Sequence, residues 1–139
     1  HQINQQATLA MNTSTKFECR WVNLQMDNNL SVFTKGLKNN LYLPVAHAEG
    51  RFIASDKILD QLEANSQIVF RYTTPNYPQN PNGSLSGIAG VTNASGTITL
   101  MMPHPERSFL SAQHSWKPEN WDEYSPWIKF FQNAKEFIS

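Results

Sequence analysis

The sequence predicts an α/β fold in which strands outnumber helices, and three observations carry that reading. Short runs rich in Ile, Val, Phe and Tyr recur at 68–72, 87–93 and 97–102. Two other stretches, 56–64 and the residues from 125 onward, space their apolar side chains as helices do. At 139 residues the chain holds one domain with a sizeable core.

Taken in order, residues 1–11 are polar and Gln-rich and read as an N-terminal extension with no secretory pattern. In FECRWVNLQM (17–26), Phe17, Cys19 and Trp21 share one phase while Val22, Leu24 and Met26 take the other. A strict period of two cannot do that, so a bulge or twist is predicted near Trp21. Pro44 inside LYLPVAH (41–47) predicts a sheet edge or a break. For helix 56–64, Ser55 is the capping residue and Ile58, Leu59 and Leu62 share a face. After the strand IVFRY (68–72), YPQNPNGS (77–84) has the Pro, Asn and Gly density of an exposed loop. GIAGVTN (87–93) and TITLMM (97–102) are strands joined by a hairpin turn from Asn93 to Gly96. In the last helix Ser125 caps and Pro126 takes the first position, with Trp127, Phe131, Ala134 and Ile138 laid on the sheet. Residues 115–139 thus read as a C-terminal clasp.

Composition excludes several classes. Eleven basic residues balance eleven acidic ones, which argues against a nucleic-acid or anionic-membrane partner. No apolar run approaches the roughly 20 residues that span a bilayer. The single cysteine, Cys19, rules out an internal disulfide and a cysteine zinc cage and fits a reducing cytoplasm. A first residue of His1 rather than Met reads as a processed product or a fragment.

The chemistry concentrates in TLMMPHPERSF (99–109). In an open α/β sheet reactions occur just beyond the carboxyl ends of the strands, where His104 falls. Prolines on both sides fix the backbone and hold one imidazole pose. Glu106 is near enough to accept a ring N–H, which makes the pair the base and orienter of a nucleophilic triad. The alternative is a turn whose histidine bonds a backbone carbonyl. A second H-x-E unit, His47 with Glu49, opens a metal reading. Zinc deaminases with that motif also need P-C-x-x-C, which one cysteine cannot supply, so no metal is assigned. His114 reads as a surface residue, and Cys19 as a packing residue in a strand rather than a nucleophile. Trp116, Trp121, Tyr124 and Trp127 read as cover for a core or an interface, not as a base-stacking platform.

Several separated segments together resemble one family. NTSTKFECRW (12–21), VAHAEGRF (45–52), YPQNPNGS (77–84), GIAGVTNASG (87–96) and MMPHPERSF (101–109) are similar to the C-terminal part of the class I glutamine amidotransferase domain of phosphoribosylformylglycinamidine synthases. The tail SWKPENW with SPWIKFFQNAK matches the long single-chain form. The resemblance covers residues 12–139 and implies a flavodoxin-like open sheet of which only the C-terminal half is here. It implies glutamine hydrolysis by a Cys-His-Glu triad, with His104 as base and Glu106 as orienter. Ala46, His47, Ala48 and Glu49 fall in the glutamine-pocket segment, where Ala48 replaces the usual glycine. The nucleophile elbow, G-x-C-N-G-x-Q, is absent, so the chain holds no nucleophile and is expected to be inactive alone. The resemblance implies no cofactor in this domain, with ATP and magnesium in a synthetase region that uses the ammonia. Its implied partners are that region, the missing N-terminal half of the glutaminase domain, and another copy through an exposed sheet edge. The other functional class open to the chain is a non-catalytic remnant that binds a partner or ligand.

Overall fold

The computed structural model describes residues 5–38 and 41–139. Among these residues seven strands form two sheets: β1 (Ala7–Ala10) pairs with β4 (Arg51–Ala54), and five strands make the main sheet. Its order is β3 (Leu41–His47), β2 (Glu18–Met26), β5 (Ile68–Tyr72), β6 (Ile88–Thr92) and β7 (Thr99–Met101), every described ladder being antiparallel. Helix α1 (Asp56–Ala64) lies between β4 and β5, and α2 (Ile128–Ile138) ends the chain. Residues 7–10 of the polar stretch are therefore a strand, a correction to the extension read over 1–11. ATLA is short and weakly apolar, and its ladder with Arg51–Ala54 defines it. The first four residues of that stretch lie outside the described residues.

The sheet buries different clusters on its two faces. On one, Val22, Leu24, Leu43, Val45 and Phe70 pack against Trp127 and Phe130. On the other, Ile68 and Ile88 meet Phe52, with Leu59 and Leu62 of α1 packed alongside. Ser55 opens α1 through its backbone carbonyl, which accepts from Ile58 and Leu59, and its side chain makes no cap bond.

Strand β2 pairs with β3 without interruption from Glu18↔His47 to Leu24↔Leu41. The bulge expected near Trp21 is not there. Trp21 keeps strict alternation and faces outward, where Tyr42 stacks on it at 4.8 Å and His114 lies at 5.0 Å. A tail folded over that face makes an apolar residue acceptable in a polar phase. The bulged register lies instead between β5 and β6. Cys19 is likewise corrected: it is exposed on the outer face, not packed. His114 is no surface residue but a half-buried filler between Trp21 and Trp121, and its Nε2 donates to Ser108 O at 2.9 Å.

Pro44 sits on the edge strand β3, where a missing N–H costs nothing. The carbonyls of this edge are covered: Trp127 Nε1 donates to Tyr42 O at 3.1 Å, and His104 N to Pro44 O at 2.9 Å. His104 follows β7, at the opposite edge of the strand order, so the sheet curls far enough to bring its two sides together.

The buried face of α2 differs from the expected one. Trp127, Phe130 and Asn133 point inward, whereas Phe131 is partly exposed and Ile138 is 82% exposed. Asn133 decides the rotation by donating to Phe33 O and Lys35 O, each at 2.7 Å. A polar residue that satisfies two carbonyls outranks an apolar stripe here. Phe131 still packs edge-on against Phe109 at 5.7 Å. Ser125 is not the helix cap it was read as: α2 starts at Ile128 with Trp127 before it, and the Ser125 Oγ accepts from Trp127 N at 3.1 Å in the turn that leads in. Trp116 is 78% exposed and covers no core.

Trp127 packs edge-on against Phe70 and Phe130 and is 1% exposed. Trp127→Ala should therefore cost about 3–5 kcal/mol. Thermal or urea unfolding of the variant measures this, and a loss under about 1 kcal/mol would deny the clasp its structural role.

Candidate functional site

Alternating antiparallel ladders make β3, β5 and β7 run in one direction, so their carboxyl ends point the same way. His47 ends β3, Tyr72 ends β5, and His104 lies just past β7. The curl of the sheet gathers these three residues.

His104 is mounted rigidly. Pro103 and Pro105 are buried on either side, its N–H is bonded to β3, and a 3-10 turn of Pro105–Arg107 follows. The turn carries Glu106 back so that Oε1 lies 2.7 Å from His104 Nδ1. The carboxylate can only accept, so Nδ1 holds the proton. Nε2 makes no hydrogen bond among the described residues and is left to act as a base. The side chain of His104 is 27% exposed, enough for a reactant to reach it. Behind the turn, Ser108 O accepts from both the Ser125 hydroxyl and the His114 ring, which ties the clasp to the base mount.

His47 occupies a different environment, buried beside His104. Burial pushes its pKa down to about 4; nearby His104 adds to that, and Glu18 opposes it. Its Nε2 lies 3.0 Å from Asn82 Nδ2, and its ring lies against Gly50, where an added Cβ would come within 2.1 Å of Cδ2. Asn12 clamps the turn that follows: its Nδ2 donates to His47 O at 2.8 Å, and its Oδ1 accepts from Gly50 N at 3.1 Å. Asn12 N also donates to Ala48 O at 2.8 Å. Of the remaining pocket candidates, Ala46 is half-buried, while Ala48 and Glu49 are exposed. Ala48 is not among the positive-φ residues, so its methyl meets no backbone strain.

Sequence reasoning missed the polar residues that hold this arrangement. The segment 77–84, read as an exposed loop, turns its second half inward: Asn80, Asn82 and Ser84 are buried. Asn80 donates to Pro75 O and Ser84 O and accepts from Gly83 N and Ser84 N, all between 2.9 and 3.2 Å. Asn82 also reaches the Tyr72 hydroxyl at 3.0 Å. Burial raises the pKa of that phenol and keeps it neutral. Asn-Pro-Asn signals a turn whether the turn faces water or core, so composition could not have distinguished the two.

Cys19 makes no hydrogen bond to His104 or Glu106 among the described residues. No group of three or more His, Cys, Asp or Glu there is placed to hold a metal ion. A cavity of about 490 Å³ lies between the clasp and the outer sheet face, lined by Tyr42, His114, Trp116 and Trp121. None of the described helices is long and apolar enough to cross a membrane.

Residues 1–138 match a family model described as a CobB/CobQ-like glutamine amidotransferase domain, a match that takes in the first eleven residues as well. Among solved structures, that of PurLQS from Thermotoga maritima is similar at 31% identity, with a TM-score of 0.71. The similarity covers 94% of this chain and 52% of that one, so the chain spans about half the length of its structural relative.

Two predictions follow from the buried imidazole. Folded His47 excludes a proton that the unfolded chain accepts below about pH 6.5. Stability is therefore full above that pH and falls as the pH drops toward 4, by at most about 3 kcal/mol. Melting temperature against pH should show this slope, and His47→Gln should flatten it. Gly50→Ala should force the ring off Asn82 and cost about 1–3 kcal/mol, read by urea unfolding.

Proposed function

Because this chain belongs to the CobB/CobQ-like glutamine amidotransferase domain family, we propose that it carries the base and orienter of a glutaminase whose nucleophile lies on the other half of the domain. The observation that carries this reading is the His104–Glu106 contact of 2.7 Å, which leaves Nε2 free. In the proposed reaction Nε2 takes the proton of a cysteine thiol as sulfur attacks the side-chain amide carbon of glutamine. The carbon–nitrogen bond then breaks, and the imidazolium returns the proton to the departing ammonia. Water, deprotonated by the same nitrogen, cleaves the thioester to glutamate. Glu106 keeps the ring in the tautomer that both steps need.

Ala46, His47, Ala48 and Glu49 form one wall of the proposed glutamine pocket, with Asn12 and Gly50 setting their backbone. Similarity to PurLQS, together with the motif resemblance, supports a place in phosphoribosylformylglycinamidine synthase. There the ammonia would pass to a synthetase region that uses ATP and magnesium to aminate formylglycinamide ribonucleotide, a step of purine biosynthesis in the cytoplasm. The chain itself is assigned no cofactor. Edge strand β7 has no further strand beside it among the described residues. It is the proposed seat of the missing half or, failing that, of a second copy.

Assayed alone, the chain should release no ammonia from glutamine, and Cys19→Ala should change nothing. Combined with the upstream part of its domain, it should turn over glutamine. His104→Ala should then lower kcat by about 100-fold or more, and Glu106→Gln by about 10-fold or more. Full turnover by the assembled His104→Ala variant would remove the base assignment. Tight association with the upstream part and no turnover at all would instead make the chain a binding module.

A further inference from the structure

We infer that Asn82 is a positioning residue for the proposed reaction, one that acts through His47 to leave His104 as the one imidazole of the site that takes up a second proton. This rests on the glutaminase reading. Asn82 is 0% exposed, and its orientation is determined by its neighbours. Ser84 N at 3.0 Å and Ser84 Oγ at 2.7 Å both donate to its Oδ1. Exchanging O and N would set an NH2 group against the Ser84 N–H, so the amide cannot be flipped. Its two N–H bonds therefore go to Tyr72 Oη and His47 Nε2.

An amide nitrogen can only donate, so His47 Nε2 must accept. The ring proton is thereby placed on Nδ1, which is buried and meets no acceptor among the described residues. To become charged, His47 would have to put a second proton on the nitrogen that Asn82 already occupies. The charged and titratable groups around it are Glu18 from β2, itself paired with Arg20, Tyr72 from β5, and His104 beyond β7. A charged His47 would face His104 at the moment the latter takes the thiol proton. Asn82 prevents this by holding the inner imidazole neutral in one tautomer.

Asn82→Asp tests the inference. The variant keeps an oxygen toward Ser84 and a partner for Tyr72 but offers His47 an acceptor in place of a donor. Imidazole nitrogen NMR of the histidine-labelled chain gives the direct readout. His47 should stay neutral with the proton on Nδ1 from about pH 5 to about pH 8. The variant should charge it at about neutral pH. An Nε2 proton in the parent chain, or titration near pH 6.5, would overturn the inference even if the variant failed to fold. In the assembled glutaminase, the acid limb of kcat against pH should gain a second ionisation on Asn82→Asp. An unaltered profile with uniformly lower kcat would leave Asn82 a structural residue only. Should the assembly turn over nothing at any pH, the glutaminase reading falls while the NMR result still stands.

Discussion

The site depends on one backbone hydrogen bond, from His104 N to Pro44 O at 2.9 Å. It joins the segment after the last strand to an edge strand at the far side of the sheet order. It is the backbone contact that closes the curl and sets His104 on the strand that ends in His47. Pro44 contributes by what it lacks. A proline on an edge strand has no N–H of its own to satisfy, and its carbonyl is left facing outward. His104 in turn stands between two buried prolines, so its N–H is aimed with little conformational freedom.

Two imidazoles meet at the end of this sheet and are treated in opposite ways. His104 is partly exposed and paired with a carboxylate that sets its tautomer and leaves Nε2 open. His47 is enclosed by Gly50, Asn82 and the outgoing strand, an environment that rejects charge. The difference comes from loop residues rather than from the histidines. Buried polar side chains work this way only when each is fully bonded, as Asn80 and Asn82 are.

Much of the fold was legible in the sequence because its signals are local. Apolar runs located strands at 68–72 and 87–93, and Ser125-Pro126 marked the turn that leads into the last helix. The contact between His104 and Glu106 was legible for the same reason, since the two are two residues apart. What failed depended on distant parts of the chain. A bulge or twist was expected near Trp21 because nothing local reveals that the clasp covers the outer face. The face of α2 was misjudged because Asn133 finds its acceptors at Phe33 and Lys35. Asn82 was read as exposed because its partners, His47 and Tyr72, arrive from two strands.

The Asn133 contact also bears on when the chain can fold. Asn133 is bonded to Phe33 across 100 residues, and the last helix supplies Trp127 and Phe130 to the core that the early strands need. During synthesis strands β2 and β3 must wait for residues 127–133 before that core can close. Until then β2 and β3 expose an apolar face, the condition under which nascent chains aggregate or recruit chaperones. Helix α2 thus acts as a timer on assembly, and a chain cut short before it would keep one side of the sheet uncovered.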